Sequence, residues 1–293
     1  MADINWIHEN ACIVHNDKVF NKLSLDQIKN SIKKQILQCV EGIKKKEKIV
    51  VGVYLNRSVY TYISMIAIFE LGLTYLPLDP EYPKSRLDFM LLDSDCAIVI
   101  TNMEYKVLFS LPIVFVENLE ECNDFSPCPS VDDSEVAYII YTSGTTGYPK
   151  GVTITYKSLK SYVYDFIEKI PLNKDLCLIS FTNPCFDLFF NESVLPIFYG
   201  MTVVIGNTSF LGIRRILHQI KEYHVDTYVF TPSKMQLFLE LAKTVAFLQN
   251  AKFIMLGGEG LPINLLNKLQ NNTSAFIYNL YGPTEATVFC TYA

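Results

Sequence analysis

Half of the 293 residues are apolar, enough to bury roughly two-thirds or more of the unfolded surface, so the core needs neither disulfide nor metal. The net charge of −5, with both signs dispersed, offers no basic stripe to a phosphate backbone and argues against nucleic acid as the partner. No apolar run approaches the ~18 residues that span a bilayer, and "MADINWIHEN" lacks the basic and apolar regions of a leader, so no membrane segment is predicted and a cytoplasmic location is expected.

The eight cysteines (12, 39, 96, 122, 128, 177, 185, 290) form no C-x-x-C pair and read as reduced thiols, mostly core filler. His8, His15, His218 and His224 show no metal-ligand spacing, so no zinc site is expected. Without secretion, the sequons at Asn56, Asn191, Asn207 and Asn272 carry no meaning.

Ser24 with Gln27 reads as a capping box, and Leu25, Ile28, Ile32, Ile36, Val40 and Ile43 recur at helical spacing, predicting a helix over 25–46 that ends in "KKKEK". A strand over 49–55 follows, then an apolar helix from Val59 closed by Gly72. The alternation continues with helices near 85–93, 157–169, 188–199, 212–222, 233–246 and 262–270. Strands lie between them: "AIVIT", "IVFV", "LCLISF", "TVVIG", "TYVF", "KFIMLGG" and "AFIYNLYG". Strands apolar on both faces and alternating with helices specify an α/β fold, parallel sheets flanked by helices. The acidic, proline-containing stretch 117–135 reads as a surface linker. It divides an N-terminal subdomain, 1–134, from a second one, 135–293.

Residues 138–152, "YIIYTSGTTGYPKGV", end a buried strand in hydroxyls, glycines and a lysine. Gly144, Gly147 and Gly151 let the main chain turn tightly and approach a ligand closely, and convergent N–H groups with Lys150 suit a polyphosphate. A hairpin or solvated turn is the plainer alternative. A Walker A loop is not, because Lys150 follows proline rather than glycine.

"YTSGTTGYPKGV" closely resembles the phosphate-loop signature of the adenylate-forming superfamily. "ELGLTYLPLDPEYPKSRLDFML" (70–91), "CFDLFFNESVLPIFYGMTVVI" (185–205) and "NLYGPTEATVF" (279–289) resemble three further motifs of that family in the same order and spacing. The nearest relatives by resemblance are the amino-acid adenylation domains of nonribosomal peptide synthetases and the D-alanine carrier-protein ligases. The resemblance covers about residue 10 to 293.

It implies a ligase in which a carboxylate attacks the α-phosphate of ATP to give an acyl-adenylate and pyrophosphate, the acyl group then passing to a carrier-protein thiol. By resemblance, Thr142, Ser143, Gly144, Thr145, Thr146, Gly147 and Lys150 hold the β- and γ-phosphates. Gly258, Asn279, Leu280, Tyr281, Gly282, Pro283 and Thr284 surround the nucleotide. Of these, Asn279 bonds the adenine amine, Tyr281 stacks on the base and Thr284 touches the α-phosphate. Glu285 holds Mg²⁺, a hard cation suited to one carboxylate plus phosphate oxygens. Thr142, Lys150, Thr284 and Glu285 form the catalytic set. Asp187 binds the substrate's α-ammonium group, the alternative being a cap for the helix beginning at Leu188. The resemblance lines the side-chain pocket with Leu188, Asn191, Val229, Ile254, Leu256, Leu280, Val288 and Phe289. All but Asn191 are apolar, so an apolar amino acid is expected. Phe189 stands where many relatives have serine.

The chain ends just past the magnesium motif, before the ribose-binding aspartate and the mobile lid whose lysine relatives use. Residues 1–293 alone are therefore expected to show at most trace ATP–pyrophosphate exchange, a lid from the same or a separate chain restoring it. A carrier protein with a phosphopantetheine arm is the expected partner. The alternative is a non-catalytic remnant that binds nucleotide or protein.

Overall fold

The computed structural model describes residues 5–42, 48–120, 122, 130–143, 149–206 and 212–293. In chain order the elements are β1 (Cys12–His15), β2 (Lys18–Asn21), α1 (Lys22–Glu41), β3 (Val50–Tyr54), α2 (Val59–Glu70), β4 (Thr74–Leu78), α3 (Lys84–Asp93), β5 (Cys96–Thr101), β6 (Ile113–Phe115), β7 (Val136–Ser143), β8 (Pro149–Thr155) and α4 (Tyr156–Lys169). They continue with β9 (Cys177–Ser180), α5 (Phe189–Glu192), α6 (Val194–Tyr199), β10 (Thr202–Ile205), α7 (Gly212–Glu222), β11 (Thr227–Phe230), α8 (Pro232–Ala242), β12 (Phe253–Gly257), α9 (Ile263–Gln270), β13 (Phe276–Tyr281) and β14 (Thr291–Tyr292).

The chain forms two units. One comprises residues 1–6, 22–161 and 183–186, the other 7–21, 162–182 and 187–293. The first holds a six-stranded sheet in the order β6-β5-β3-β4-β7-β8, parallel except for the β7/β8 edge pair. The second holds an eight-stranded sheet in the order β14-β13-β12-β11-β9-β10-β1-β2, parallel except for hairpin β1/β2 and edge strand β14. Inner strands such as β3, β9, β11 and β12 are buried along their whole length, as expected of a parallel sheet covered on both faces.

Several expected boundaries move. Helix α1 begins at Lys22 because β2 runs directly into it, so Ser24 and Gln27 lie inside the helix rather than at its cap. Of the expected lysine-rich end "KKKEK", residues 44–47 lie outside the described residues. The helix expected over 188–199 is two helices broken at Ser193, since Pro196 has no N–H for the carbonyl of Glu192 and its ring crowds that carbonyl. The helix from 233 stops at Ala242, where Lys243 turns left-handed (φ 51°). Strand β4 contains Pro77, yet it pairs with β7 only through Tyr75–Tyr138, so the missing donor leaves no gap in that ladder. Between α1 and α2 the nearly inaccessible Lys33 (1 % exposed) and Lys29 both pair with Glu70, at 2.8 and 2.9 Å.

Candidate active site

In the six-stranded unit the phosphate-loop stretch flanks an antiparallel pair, with Thr142 opposite Lys150 and Ser143 opposite Pro149. Ser143 and Lys150 are exposed. A Cβ at Gly151 would lie 3.1 Å from Ile139 Cγ2 and 3.2 Å from the Tyr141 ring, so the absent side chain lets that ring cover the ladder. Gly144, Thr145, Thr146 and Gly147 lie outside the described residues.

The other candidate residues belong to the eight-stranded unit. Laterally paired residues of neighbouring strands share a face, and successive residues alternate. The register pairs Val229 with Met255, and Gly257 with Leu280. Val229, Met255, Gly257 and Leu280 therefore share one face. Ile254 pairs with Tyr228, and Leu256 with Phe230 and Asn279. Those residues point the opposite way, where Ile254 and Leu256 join Ile179, Phe181, Met235 and Phe238 in a continuous core beneath α7 and α8. The structure thus does not bring Ile254 and Leu256 together with Val229 and Leu280. Met255 and Gly257 occupy the face that the resemblance gave to their neighbours, and strict alternation from Leu280 and Val229 is the signal that finds them.

That face is closed by the segment after β13. Thr287 and Val288 both have φ of 66°, a left-handed conformation costly for β-branched residues, on the order of 1–3 kcal/mol each. The turn sends Val288 and Phe289 into the interior (1 % and 4 % exposed). A Cβ at Gly257 would meet the Phe289 ring at 2.5 Å, so Phe289 fills the space that a side chain at 257 would need. A Cβ at Gly282 would lie 2.6 Å from both the Val288 carbonyl oxygen and Phe289 Cα, backbone atoms that cannot step aside. Gly282→Ala is expected to destabilise the unit by about 2 kcal/mol, through overpacking that pushes out the Val288 turn. An unchanged denaturant midpoint would show that this turn yields freely.

Asp187 and Asn191 bracket the first turn of α5. The N-cap of α5 is Leu188, whose side chain makes no cap hydrogen bond, and the Asp187 carbonyl accepts from the Phe190 N–H at 2.9 Å. Asp187 is half-buried and its Oδ2 is shielded from water without a hydrogen-bond partner. Burial raises its pKa above the usual carboxylate value. The Thr284 hydroxyl and the Leu188 N–H bond the carboxylate and oppose that rise, while the negative charge of Glu285 reinforces it. Asp187, Thr284 and Glu285 are thus brought together. Asn191 is 2 % exposed; its Oδ1 accepts from the Tyr162 hydroxyl at 2.8 Å, and its Nδ2 has no partner.

Sequence reasoning gave Glu192 no role, yet it anchors this region. The carboxylate is fully buried. Oε2 accepts from Ser180 Oγ (2.7 Å), Phe181 N (2.8 Å) and Thr182 N (2.7 Å), and Oε1 from Thr182 Oγ1 (2.5 Å). Ser180 shares its face with Val229, since Ile179 pairs with Tyr228. Glu192 therefore ties α5 to the same sheet face as Met255, Gly257 and Leu280. The signal was a second acid, Glu192, five residues after Asp187 in the largely apolar run "FDLFFNESVLP".

On β13, Asn279 and Tyr281 face away from Leu280. Both are exposed, Tyr281 by 66 %, whereas Leu280 is buried. Asn279 is fixed through its backbone, which exchanges hydrogen bonds with Ala293 at 2.8 and 3.0 Å. Gly258 is left-handed (φ 83°), and Pro283 leads into a short turn in which Thr284 is partly exposed and Glu285 exposed. Glu285 offers hard carboxylate oxygens of the kind Mg²⁺ takes alongside phosphate oxygens. Among the described residues no three His, Cys, Asp or Glu side chains gather into a metal site, and no helix is long and apolar enough to cross a membrane.

Residues 35–293 match the family of AMP-binding enzymes. The chain is 31 % identical to a dimodular nonribosomal peptide synthase of Bacillus subtilis over 96 % of its own length and 12 % of that protein's. It is 34 % identical to bacitracin synthase 2 of Bacillus licheniformis over 84 % of its length and 9 % of that protein's. It therefore spans only a small part of these relatives. Among solved structures its fold is similar to the Klebsiella oxytoca NpsA N-terminal subdomain in complex with 3-hydroxyanthranilyl-AMSN, with a TM-score of 0.83 at 17 % identity, covering 97 % of this chain and 71 % of that one. It is similar also to the nonribosomal peptide synthetase FmoA3 in its α-methyl-L-serine-AMP-bound form, with a TM-score of 0.85 at 19 % identity, covering 97 % of this chain and 32 % of that one. With a family match over most of its length, the chain belongs to the AMP-binding enzymes.

Proposed function

We propose that the chain supplies the nucleotide and amino-acid sites of an amino-acid-activating ligase, which joins a substrate carboxylate to the α-phosphate of ATP, releases pyrophosphate and hands the acyl group to a carrier-protein thiol. The observation that carries this reading is Asp187: a buried, unpartnered carboxylate oxygen beside an apolar face suits an α-ammonium group and has no use for a fatty or aryl acid. Thr284, bonded to Asp187, joins the ammonium site to the proposed α-phosphate position. Glu285 would hold Mg²⁺, whose charge offsets that of the phosphates when bound. Lys150, exposed beside the phosphate stretch, would neutralise the outer phosphates, and Tyr281 with Asn279 would take the base. The pocket face (Val229, Met255, Gly257, Leu280, Val288 and Phe289) favours a predominantly apolar side chain. A carrier protein with a phosphopantetheine arm and a lid segment complete the proposed assembly.

Calorimetric titration of MgATP tests the nucleotide side. Lys150→Ala and Glu285→Ala are each expected to weaken binding by about tenfold, one charge-assisted contact's worth. Three indistinguishable titrations would sink the assignment and favour a remnant that binds something else.

A further inference from the structure

The six-stranded unit holds a cavity that the proposed chemistry leaves unused. Strands β3 and β5 are parallel neighbours, yet the chain leaves β3 for β4 on one side and leaves β5 for β6 on the other. Adjacent parallel strands whose connections depart in opposite directions open a crevice at their carboxyl ends, and open α/β sheets bind ligands there. In this unit the crevice is a cavity of about 150 Å³. Tyr54, the last residue of β3, forms one wall; Leu108 and Phe109 come from the connection after β5, and Tyr82 and Leu87 from the start of α3 and the turn before it. A cavity of that size takes a single benzene-sized ring. The wall is already built. Tyr105 and Phe109 hold the Tyr54 ring edge-on, with centroids 5.0 and 5.1 Å away, and the Arg86 guanidinium lies 4.0 Å from the Tyr82 ring centroid. Both wall hydroxyls are engaged, that of Tyr54 with the Pro80 carbonyl (3.4 Å) and that of Tyr82 with the Cys185 thiol. The interior therefore suits an apolar group.

The mouth is of a different character. Lys84 and Asp88, one helical turn apart on α3 and both exposed, form an ion pair at 2.6 Å beside the opening. An exposed pair of this kind contributes little to stability, so either group exchanges its partner for a ligand's at small cost. Together they set one cation and one anion side by side, the complement of a zwitterion. We propose that this cavity is a second binding site, for a free α-amino acid with a compact, uncharged ring as its side chain. The ring enters between Tyr54, Tyr82 and Phe109, the carboxylate meets Lys84 and the ammonium group meets Asp88. None of these residues belongs to the site around Asp187, so the inference does not rest on the amino-acid-activating reading.

Calorimetric titration of L-phenylalanine into the Asp187→Asn chain, from which the proposed ammonium ligand of the first site is removed, tests it. Phenylalanine is expected to bind about tenfold more tightly than 3-phenylpropionate, which lacks the ammonium group, and than phenethylamine, which lacks the carboxylate. Glycine, without a ring, should bind more weakly still. Lys84→Ala should erase the advantage over phenethylamine, and Asp88→Ala the advantage over 3-phenylpropionate. Leu108→Trp, which fills the cavity, should remove binding altogether. The first two substitutions are at exposed positions and leave the fold intact, so they decide the matter even where Leu108→Trp lowers the denaturant midpoint. Phenylalanine bound no more tightly than glycine, or bound equally well after Lys84→Ala and Asp88→Ala, overturns the inference. If phenylalanine binds the wild-type chain but not Asp187→Asn, this inference fails and the amino-acid-activating reading stands. If it binds both with the same dependence on Lys84 and Asp88, this inference stands whatever becomes of that reading.

Discussion

Asparagine at Asp187 is expected to abolish selective binding of amino acids and, at the same time, to make the ligand-free chain more stable. Removing the carboxylate leaves the substrate's ammonium group buried without its counter-charge, a loss of about 3–5 kcal/mol, or a few hundred- to a few thousand-fold in affinity. Des-amino analogues, which never used the carboxylate, should lose their disadvantage. The stability gain follows from the raised pKa. A carboxyl whose folded pKa lies above its unfolded value favours folding most below the unfolded value, and that contribution is lost as pH rises through the folded pKa. At neutral pH the ionised Asp187 therefore works against folding, and the neutral amide relieves that cost. Amino-acid affinity in the wild type should accordingly fall as pH drops through the raised Asp187 pKa, and the asparagine variant should show no such step. Thermal melts and pH-resolved calorimetry on both proteins check this. Equal binding of amino and des-amino ligands by the wild type would move the chain toward acyl or aryl substrates.

Alanine at Glu192 is expected to leave the eight-stranded unit unfolded or close to it. Four donors converge on that buried carboxylate, and each one stranded away from water costs about 1–3 kcal/mol. Their sum rivals the roughly 5–15 kcal/mol by which whole domains are stable. Glutamine can keep its oxygen on the Phe181 and Thr182 N–H groups and turn its NH₂ toward the Thr182 hydroxyl, but every bond it makes is neutral where the carboxylate's were charge-assisted. The Ser180 and Thr182 hydroxyls can rotate to accept, whereas the Phe181 and Thr182 N–H groups cannot. Glu192→Gln should therefore fold with a lowered denaturant midpoint. A midpoint equal to wild type in either variant would mean that water reaches this carboxylate and takes over its bonds.

The class of fold was legible because period and length agree over most of the chain: apolar strands such as β3 and β12, buried along their length, alternate with helices such as α2 and α9. What escaped is what depends on partners distant in sequence. Strands β1 and β2 are short, and "CIVHNDKVFN" acquires a sheet only because β1 pairs in parallel with β10, far along the chain. Strand β8 was hidden by Pro149 and Gly151 in a stretch read for its ligand chemistry, although the Tyr141 ring covers the glycine. Motif matching brought Asp187, Thr284 and Glu285 to one place, since each sits in a locally distinctive stretch. The pocket lining was less legible because "KFIMLGG" is apolar on both faces, so only pairing with β11 and β13 tells Met255 from Leu256. A slip of one residue in reading such a strand exchanges the core for the site.

Strand β13 is a partition. Asn279 and Tyr281 look toward one compartment and Leu280 toward the other, while the backbone between them is held by β12 and β14. Under the proposed assignment, adenine recognition and side-chain selection are written on alternate letters of the same word. Position 280 can then mutate, and with it the choice of monomer, while the groups that read the nucleotide stay where they are. Preference for a new amino acid becomes accessible by single steps that leave the ATP site working at every stage.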